Sequence, residues 1–127
     1  MNPTVFVVDD YPHMTACIRR QLRPLGVKVK VVEFQNPQQA LLAAQATPPH
    51  VLVTDVMMPE LTGLELAAGL RRQSPRLKTI LISTAEQQLA PAPEQGLVQV
   101  LLKPWPGAEL LDAVQTALEL VLQDFDA

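Results

Sequence analysis

Val5-Phe6-Val7-Val8-Asp9-Asp10-Tyr11-Pro12 is the stretch from which the rest of the chain can be read. Four β-branched or aromatic residues in a row predict a strand. No polar residue alternates among them, so the strand is expected to be buried on both faces, as in a parallel sheet. Asp9-Asp10 ends it. Pro12 suits the first turn of a helix, in which Met14, Ile18, Leu22 and Leu25 recur at helical spacing until Gly26 stops it.

The same alternation continues outward. Val27 to Phe34 places Val27, Val29 and Val31 against Lys28 and Lys30, the pattern of a half-exposed edge strand. Asn36 is placed to cap a helix opened by Pro37, with Ala40, Leu41 and Ala44 as its apolar stripe and Thr47-Pro48-Pro49 as its breaker. Val51-Leu52-Val53 reads as a third strand closed by Thr54-Asp55. After the loop Met58-Pro59-Glu60, Thr62 is expected to cap a helix from Gly63 to about Gln73 with Leu64, Leu66 and Leu70 inward. Thr79 to Ile82 is a fourth strand ending in Ser83-Thr84, and Leu97 to Leu102 a fifth followed by Lys103-Pro104. Between them, Pro91 and Pro93 damage any helix, and Glu86 to Gln95 is expected to be the most mobile segment. The last helix is expected from Gly107 to Leu122, with Leu110, Leu111, Val114, Ala117, Leu118 and Val121 facing inward. Strict alternation of strand and helix predicts the α/β class, a doubly wound sheet of five parallel strands covered on both faces. Right-handed crossovers constrain its topology, and ligands of such sheets bind beyond the carboxyl ends of the strands.

Composition narrows the function classes. The 127 residues suit one domain spanning 1–127. With 48% hydrophobic and 18% charged residues the chain is not a disordered one. Ten basic against thirteen acidic residues leave a net charge of -3, which argues against direct nucleic-acid binding. The lone Cys17 excludes an internal disulfide and a cysteine zinc site, fits a reducing cytoplasm, and is expected to be a small core residue. No apolar run approaches the roughly 20 residues of a membrane helix. No signal-type segment precedes the first strand, so Met1 is expected to be the natural start. His13 and His50 have no metal-ligand partners at helical spacing and are expected at the surface.

The chemistry gathers at the strand ends. Asp9-Asp10, Asp55, Ser83-Thr84 and Lys103 follow four different strands, and the fold would bring them to one edge. Three carboxylates there repel one another unless a cation joins them. Oxygen-only donors in a small site suit Mg²⁺, or Mn²⁺. Carboxylates, cation, hydroxyl and ammonium together form a site for phosphoryl transfer to a carboxylate. Taken singly, Asp9 and Asp10 serve equally well as helix caps, Thr84 as a turn residue and Lys103 as a surface charge.

Taken together and in this order, these residues resemble the receiver domain of two-component response regulators. The resemblance covers nearly the whole chain: Asp9-Asp10, then Asp55 with Met58-Pro59 and Gly63, then Thr84-Ala85, then Lys103-Pro104. It implies a flavodoxin-like fold with strand order 2-1-3-4-5. It implies Asp55 as the phosphoacceptor, served by a sensor histidine kinase or a phosphotransfer protein. Asp10, Asp55 and the Met57 backbone carbonyl would bind Mg²⁺ directly, and Asp9 through a water. Thr84 would bond the new phosphoryl oxygen, and Lys103 would pair first with Asp55 and then with the phosphoryl group. The Lys103-Pro104 bond would be cis. No turnover of a separate substrate is implied, only self-catalysed phosphorylation and dephosphorylation.

The chain departs from the family pattern in three places. Val100 stands three residues before the lysine, where receivers commonly carry an aromatic. The segment between Thr84 and Gly96 is about three residues short, so the fourth helix is expected to be brief, irregular or absent. Trp105 stands where Phe is commoner, and is expected to pack under its loop. The apolar residues near the C-terminus, Leu120 to Leu122 and Phe125, point either to a following output domain or to a homodimer contact through the last helix. Two other classes compete. A pseudo-receiver would act as a phosphorylation-independent interaction module, which the full set of acids, threonine and lysine argues against. A metal-dependent phosphatase or flavodoxin-like enzyme would need a substrate cap or a phosphate-cradling turn, whereas Asp-Asp-Tyr-Pro follows the first strand.

Overall fold

The computed structural model describes residues 2–84 and 96–126. Five strands, β1 (Thr4–Val8), β2 (Lys30–Phe34), β3 (Val51–Asp55), β4 (Lys78–Ser83) and β5 (Leu97–Leu102), form one parallel sheet in the order β2-β1-β3-β4-β5. The described helices are α1 (Pro12–Gln21), α2 (Pro37–Ala44), α3 (Gly63–Arg71) and α4 (Gly107–Asp126), with a 3-10 turn at Arg23–Leu25.

The continuous apolar runs have a geometric cause. Successive strand residues point to opposite faces, and here both faces carry helices. Val5, Val7, Val51, Val53, Ile80 and Ile82 meet α1 and α4 on one side. Phe6, Val8 and Leu52 meet α2 and α3 on the other. Strands β1 and β3 are buried throughout. β2 lies at the sheet edge and is half-exposed, as its lysine-valine alternation predicts.

Several boundaries differ from the sequence reading. α1 stops at Gln21, and Pro24 lies in the 3-10 turn that follows. A proline has no N–H to continue the α-helical ladder, so apolar spacing through Leu25 does not extend the helix. β2 starts three residues later than expected. Gly26 adopts φ +86°, Val29 N–H donates to the Gly26 carbonyl, and the pairing partner at that end is Thr4, which faces Lys30. Val27 is thereby left 101% exposed. α4 runs four residues past Leu122, because Lys78 pairs with Asp124 at 3.1 Å and Arg76 donates to its carbonyl at 2.8 Å. Asn36 and Thr62 cap α2 and α3 as expected, and Thr62 does so in a reciprocal box with Glu65. The expected short or irregular fourth helix, and the expected mobility from Glu86 to Gln95, concern residues 85–95 and lie outside those described.

Two side chains sit differently from expectation. Cys17 is half-buried rather than in the core, because its face of α1 looks toward the loop after β5. His50 is half-buried, not a surface residue. Its Nδ1 accepts the Thr4 N–H at 2.9 Å, and its backbone N–H donates to the Thr4 carbonyl at 2.9 Å. Burial lowers its pKa below 6.5. A depressed histidine pKa stabilises the fold above 6.5, and that contribution is lost as pH falls through the folded value. Wild type should therefore lose more stability between pH 7.5 and 5 than His50→Gln, by about 1 kcal/mol, the worth of the Thr4 hydrogen bond. Denaturant titration at the two pH values reads the difference. An equal loss in both proteins would show that His50 is not the acid-sensitive group.

Candidate functional site: a carboxylate cluster at the sheet edge

The register of the sheet assembles the site. Val8 pairs with Thr54, so the next residues of the two strands, Asp9 and Asp55, stand side by side at the carboxyl edge. Asp55 pairs with Ile82 and Ser83 with Leu102. The Lys103 N–H continues this ladder by donating to the Ser83 carbonyl at 2.8 Å. Four strand ends, drawn from residues 9 to 103, thus meet at one place.

Carboxylate oxygens of Asp9, Asp10 and Asp55 lie within 4.8 Å of one another. Asp9 and Asp55 are buried, and Asp10 is exposed at the rim. Lys103 Nζ sits 3.0 Å from Asp55 Oδ2. Asp9 Oδ1 accepts the Tyr11 N–H at 2.9 Å. This bond closes a turn rather than capping α1, whose N-cap is Tyr11 without a side-chain cap bond, and it occupies one oxygen only. Asp9 Oδ2 and Asp55 Oδ1 are buried and have no hydrogen-bond partner among the described residues.

Buried carboxylate oxygens without partners are costly, the more so in a cluster. Two full charges at 4.8 Å, the outer limit of this one, repel by about 3 kcal/mol at an effective dielectric constant near 20. The protonation of Asp9 reflects this. Burial, chiefly, raises its pKa from 3.8 to about 6; the Tyr11 N–H opposes the rise, Asp55 and Asp10 add to it, and Lys103 opposes it. One ammonium does not balance three carboxylates. All the donors are hard oxygens, so the residues fit Mg²⁺ or Mn²⁺.

The remaining expected residues fall close by. Thr84 is half-buried, two residues past the Asp55–Ile82 rung. Met57 follows Asp55 by two positions with its side chain exposed, while Met58 packs into the core on the α2–α3 side. The Lys103-Pro104 peptide bond is cis. Val100, where an aromatic is common, is half-buried and pairs with Leu81.

Two residues singled out in the sequence support the site through contacts that the sequence does not show. Gly63 opens α3 directly beneath Asp55. Its N–H donates to the Val56 carbonyl at 2.7 Å, and a Cβ there would run into the Asp55 carbonyl oxygen. The sequence marks this glycine as a helix start and as part of the resemblance, but not its contact with Asp55. Trp105 packs against the core and donates its indole N–H to Gln21 Oε1 at 2.9 Å. That bond ties the loop carrying Lys103 to the end of α1. Its partners are 84 residues apart, and no local pattern announces it.

Residues 5–115 match the sequence profile of the response regulator receiver domain. The hydrogenase transcriptional regulatory protein HoxA of Cupriavidus necator is 36% identical over 119 residues, which are 91% of this chain and 24% of that protein. The chain thus spans about a quarter of HoxA's length. The chemotaxis protein CheY of Listeria monocytogenes is 28% identical over 115 residues, 89% of this chain and 96% of that protein. Among solved structures, the chemotaxis protein CheY4 of Vibrio cholerae superposes with a TM-score of 0.76 at 26% identity, covering 92% of this chain and 99% of that one. The matched residues include all four strand ends that converge on Asp55, and the chain belongs to the receiver-domain family of two-component response regulators.

Proposed function

We propose that the chain is a phosphorylation-controlled switch in which Asp55 accepts a phosphoryl group. The observation that carries this reading is Asp55 itself. One of its oxygens is held by Lys103 at 3.0 Å, the other is buried without a hydrogen-bond partner among the described residues, and the carboxylate lies in a cluster with those of Asp9 and Asp10. In the transfer, a carboxylate oxygen forms a bond to phosphorus as the bond to the donor breaks. The donor is the phosphohistidine of a sensor kinase or phosphotransfer protein, or a small acyl phosphate. Asp9, Asp10, Asp55 and the Met57 carbonyl would hold Mg²⁺. When bound, the ion neutralises the carboxylates and the oxygens of the arriving group.

Lys103 would shift from the carboxylate to the phosphoryl oxygens, and the Thr84 hydroxyl would donate to one of them. The event is stoichiometric and self-catalysed, with no separate substrate turned over. Its consequence is altered contact with a partner or an output domain, as the transcriptional regulator HoxA suggests. No described helix is long and apolar enough to cross a membrane, and a cytoplasmic location fits a kinase partner.

The test is incubation with acetyl phosphate and Mg²⁺, followed by intact-mass measurement. One phosphoryl group should add to wild type, none should add in EDTA, and none should add to Asp55→Asn. Equal labelling of Asp55→Asn would overturn the assignment. A wild type that takes no label from acetyl phosphate or from phosphohistidine donors would instead favour a phosphorylation-independent interaction module.

A further inference from the structure

The sheet is open along β2. This strand pairs with β1 and, among the described residues, with no other. The Lys30 N–H donates to the Pro3 carbonyl at 2.9 Å, and the Phe34 carbonyl accepts the Asp9 N–H at 3.1 Å. Backbone groups of successive strand residues point to opposite edges. Lys30, Val32 and Phe34 therefore address β1, and Val31 and Glu33 turn their N–H and C=O groups outward. No backbone partner meets those outward groups among the described residues. Apolar side chains flank the open edge half-buried on both faces, Val31 on the α1 side and Val32 and Phe34 on the α2 side.

A groove of about 660 Å³ follows the same edge, between the end of α1 and β2. Leu22, Val29 and Val31 supply its apolar lining, and Arg20 and Arg23 stand beside them. The charge around it has one sign. Five of the chain's ten basic residues, Arg19, Arg20, Arg23, Lys28 and Lys30, fall within residues 19–30, and no acid lies between Asp10 and Glu33. Glu33 is taken by Arg19 at 3.1 Å. Arg20, Arg23, Lys28 and Lys30 are exposed and have no acidic partner among the described residues.

We propose that this edge takes up an extended segment of a partner protein as a sixth strand, an apolar run flanked by acidic residues. Such a strand would lie about 4.8 Å from β2 and pair with Val31 and Glu33. Its alternate side chains would enter the groove against Val29 and Val31, and the others would lie beside Val32 and Phe34. In strand addition the main-chain bonds give affinity and the side-chain pockets give specificity. Edge strands are commonly guarded by charge against unwanted pairing. Here the guard is cationic. It opposes a second copy of β2, which would bring like charges together, and it attracts an acidic segment. The contact uses none of Asp9, Asp10, Asp55 and Lys103, so it stands whether or not Asp55 is a phosphoacceptor.

The probe is the end-blocked peptide Glu-Glu-Val-Thr-Val-Thr-Val-Glu-Glu, added to the whole chain. Amide hydrogen exchange followed by NMR should slow at least about tenfold at Val31 and Glu33 on binding, while Val32, already turned to β1, changes little. N-methylation of one alternate set of peptide residues should abolish binding and of the other set should spare it, because only every second N–H of a strand meets a given neighbour. Lysine in place of each glutamate of the peptide should weaken binding at least about tenfold, and so should Arg20→Glu with Arg23→Glu in the protein. Both positions are exposed, and circular dichroism verifies that the double variant is folded. A peptide that does not bind would overturn the proposal. Equal effects of the two N-methylated sets would also overturn it, and would show an anionic segment held by charge alone. Binding of phosphatidylglycerol vesicles but not of the peptide would overturn it as well, and would assign the basic wall to a lipid surface.

Discussion

Asp9→Asn should make the metal-free domain more stable at pH 7.5 and at the same time weaken its hold on Mg²⁺. Asp9 is buried beside Asp55, and its pKa is raised from 3.8 to about 6. A carboxyl whose folded pKa lies above its unfolded value binds its proton more tightly in the fold. The metal-free protein therefore loses stability as pH rises from 3.8 to about 6, and stays at the lower level above that. About two pKa units correspond to roughly 3 kcal/mol. Asparagine keeps an oxygen for the Tyr11 N–H and removes the charge. A gain of about 1–3 kcal/mol is expected in EDTA at pH 7.5, fading toward pH 4. Mg²⁺ affinity should fall about 10- to 100-fold, the usual cost of losing an outer partner of a metal site. Denaturant titration in EDTA and Mg²⁺ titration followed by Trp105 fluorescence measure the two effects. A variant less stable than wild type in EDTA at pH 7.5 would refute the electrostatic account.

The second large effect is expected at Lys103. Its ammonium is 3.0 Å from Asp55 Oδ2, and it extends from a loop held by the Trp105–Gln21 hydrogen bond. A phosphoryl group on Asp55 would carry more negative charge than the carboxylate, so this contact is expected to strengthen on phosphorylation. Charged hydrogen bonds of this kind contribute about 1.5–3 kcal/mol. Lys103→Ala should consequently bind beryllofluoride, a phosphoryl mimic, roughly ten- to a hundredfold more weakly in the presence of Mg²⁺. It should still bind Mg²⁺, since Asp9, Asp10 and Asp55 are untouched. The change in amide NMR spectrum that beryllofluoride produces in wild type should be lost or should require far higher concentration. An unchanged response in Lys103→Ala would show that the ammonium has no part in reading the phosphoryl group.

Much of the fold could be read locally. The α/β alternation, the five strands and the caps at Asn36 and Thr62 all rest on spacing within a few residues. The convergence of Asp9, Asp10, Asp55 and Lys103 was also legible, because a parallel sheet places every strand's carboxyl end on one edge. The resemblance to receivers added strand order and residue roles that the patterns alone leave open. Boundaries failed where a local signal competed with pairing. Leu25 keeps helical spacing but follows Pro24, and Val27 keeps strand alternation but has no partner opposite it.

By itself, then, the sequence determined which residues alternate and which stand at strand ends, since periods of 2 and 3.6 are properties of the local backbone. Tertiary structure alone decided the quantities on which the chemistry depends. The 3.0 Å approach of Lys103 to Asp55 spans 48 positions, and the Trp105–Gln21 bond spans 84. The burial that raises Asp9, the orphaned oxygens of Asp9 and Asp55, and the close fit of Gly63 beneath Asp55 arise only when β1, β3 and α3 pack together. Desolvation and charge repulsion depend on every neighbour within a few ångströms, whatever its distance along the chain. A pattern of residue types records which groups are present; the field they create at one another exists only once the sheet has brought them there.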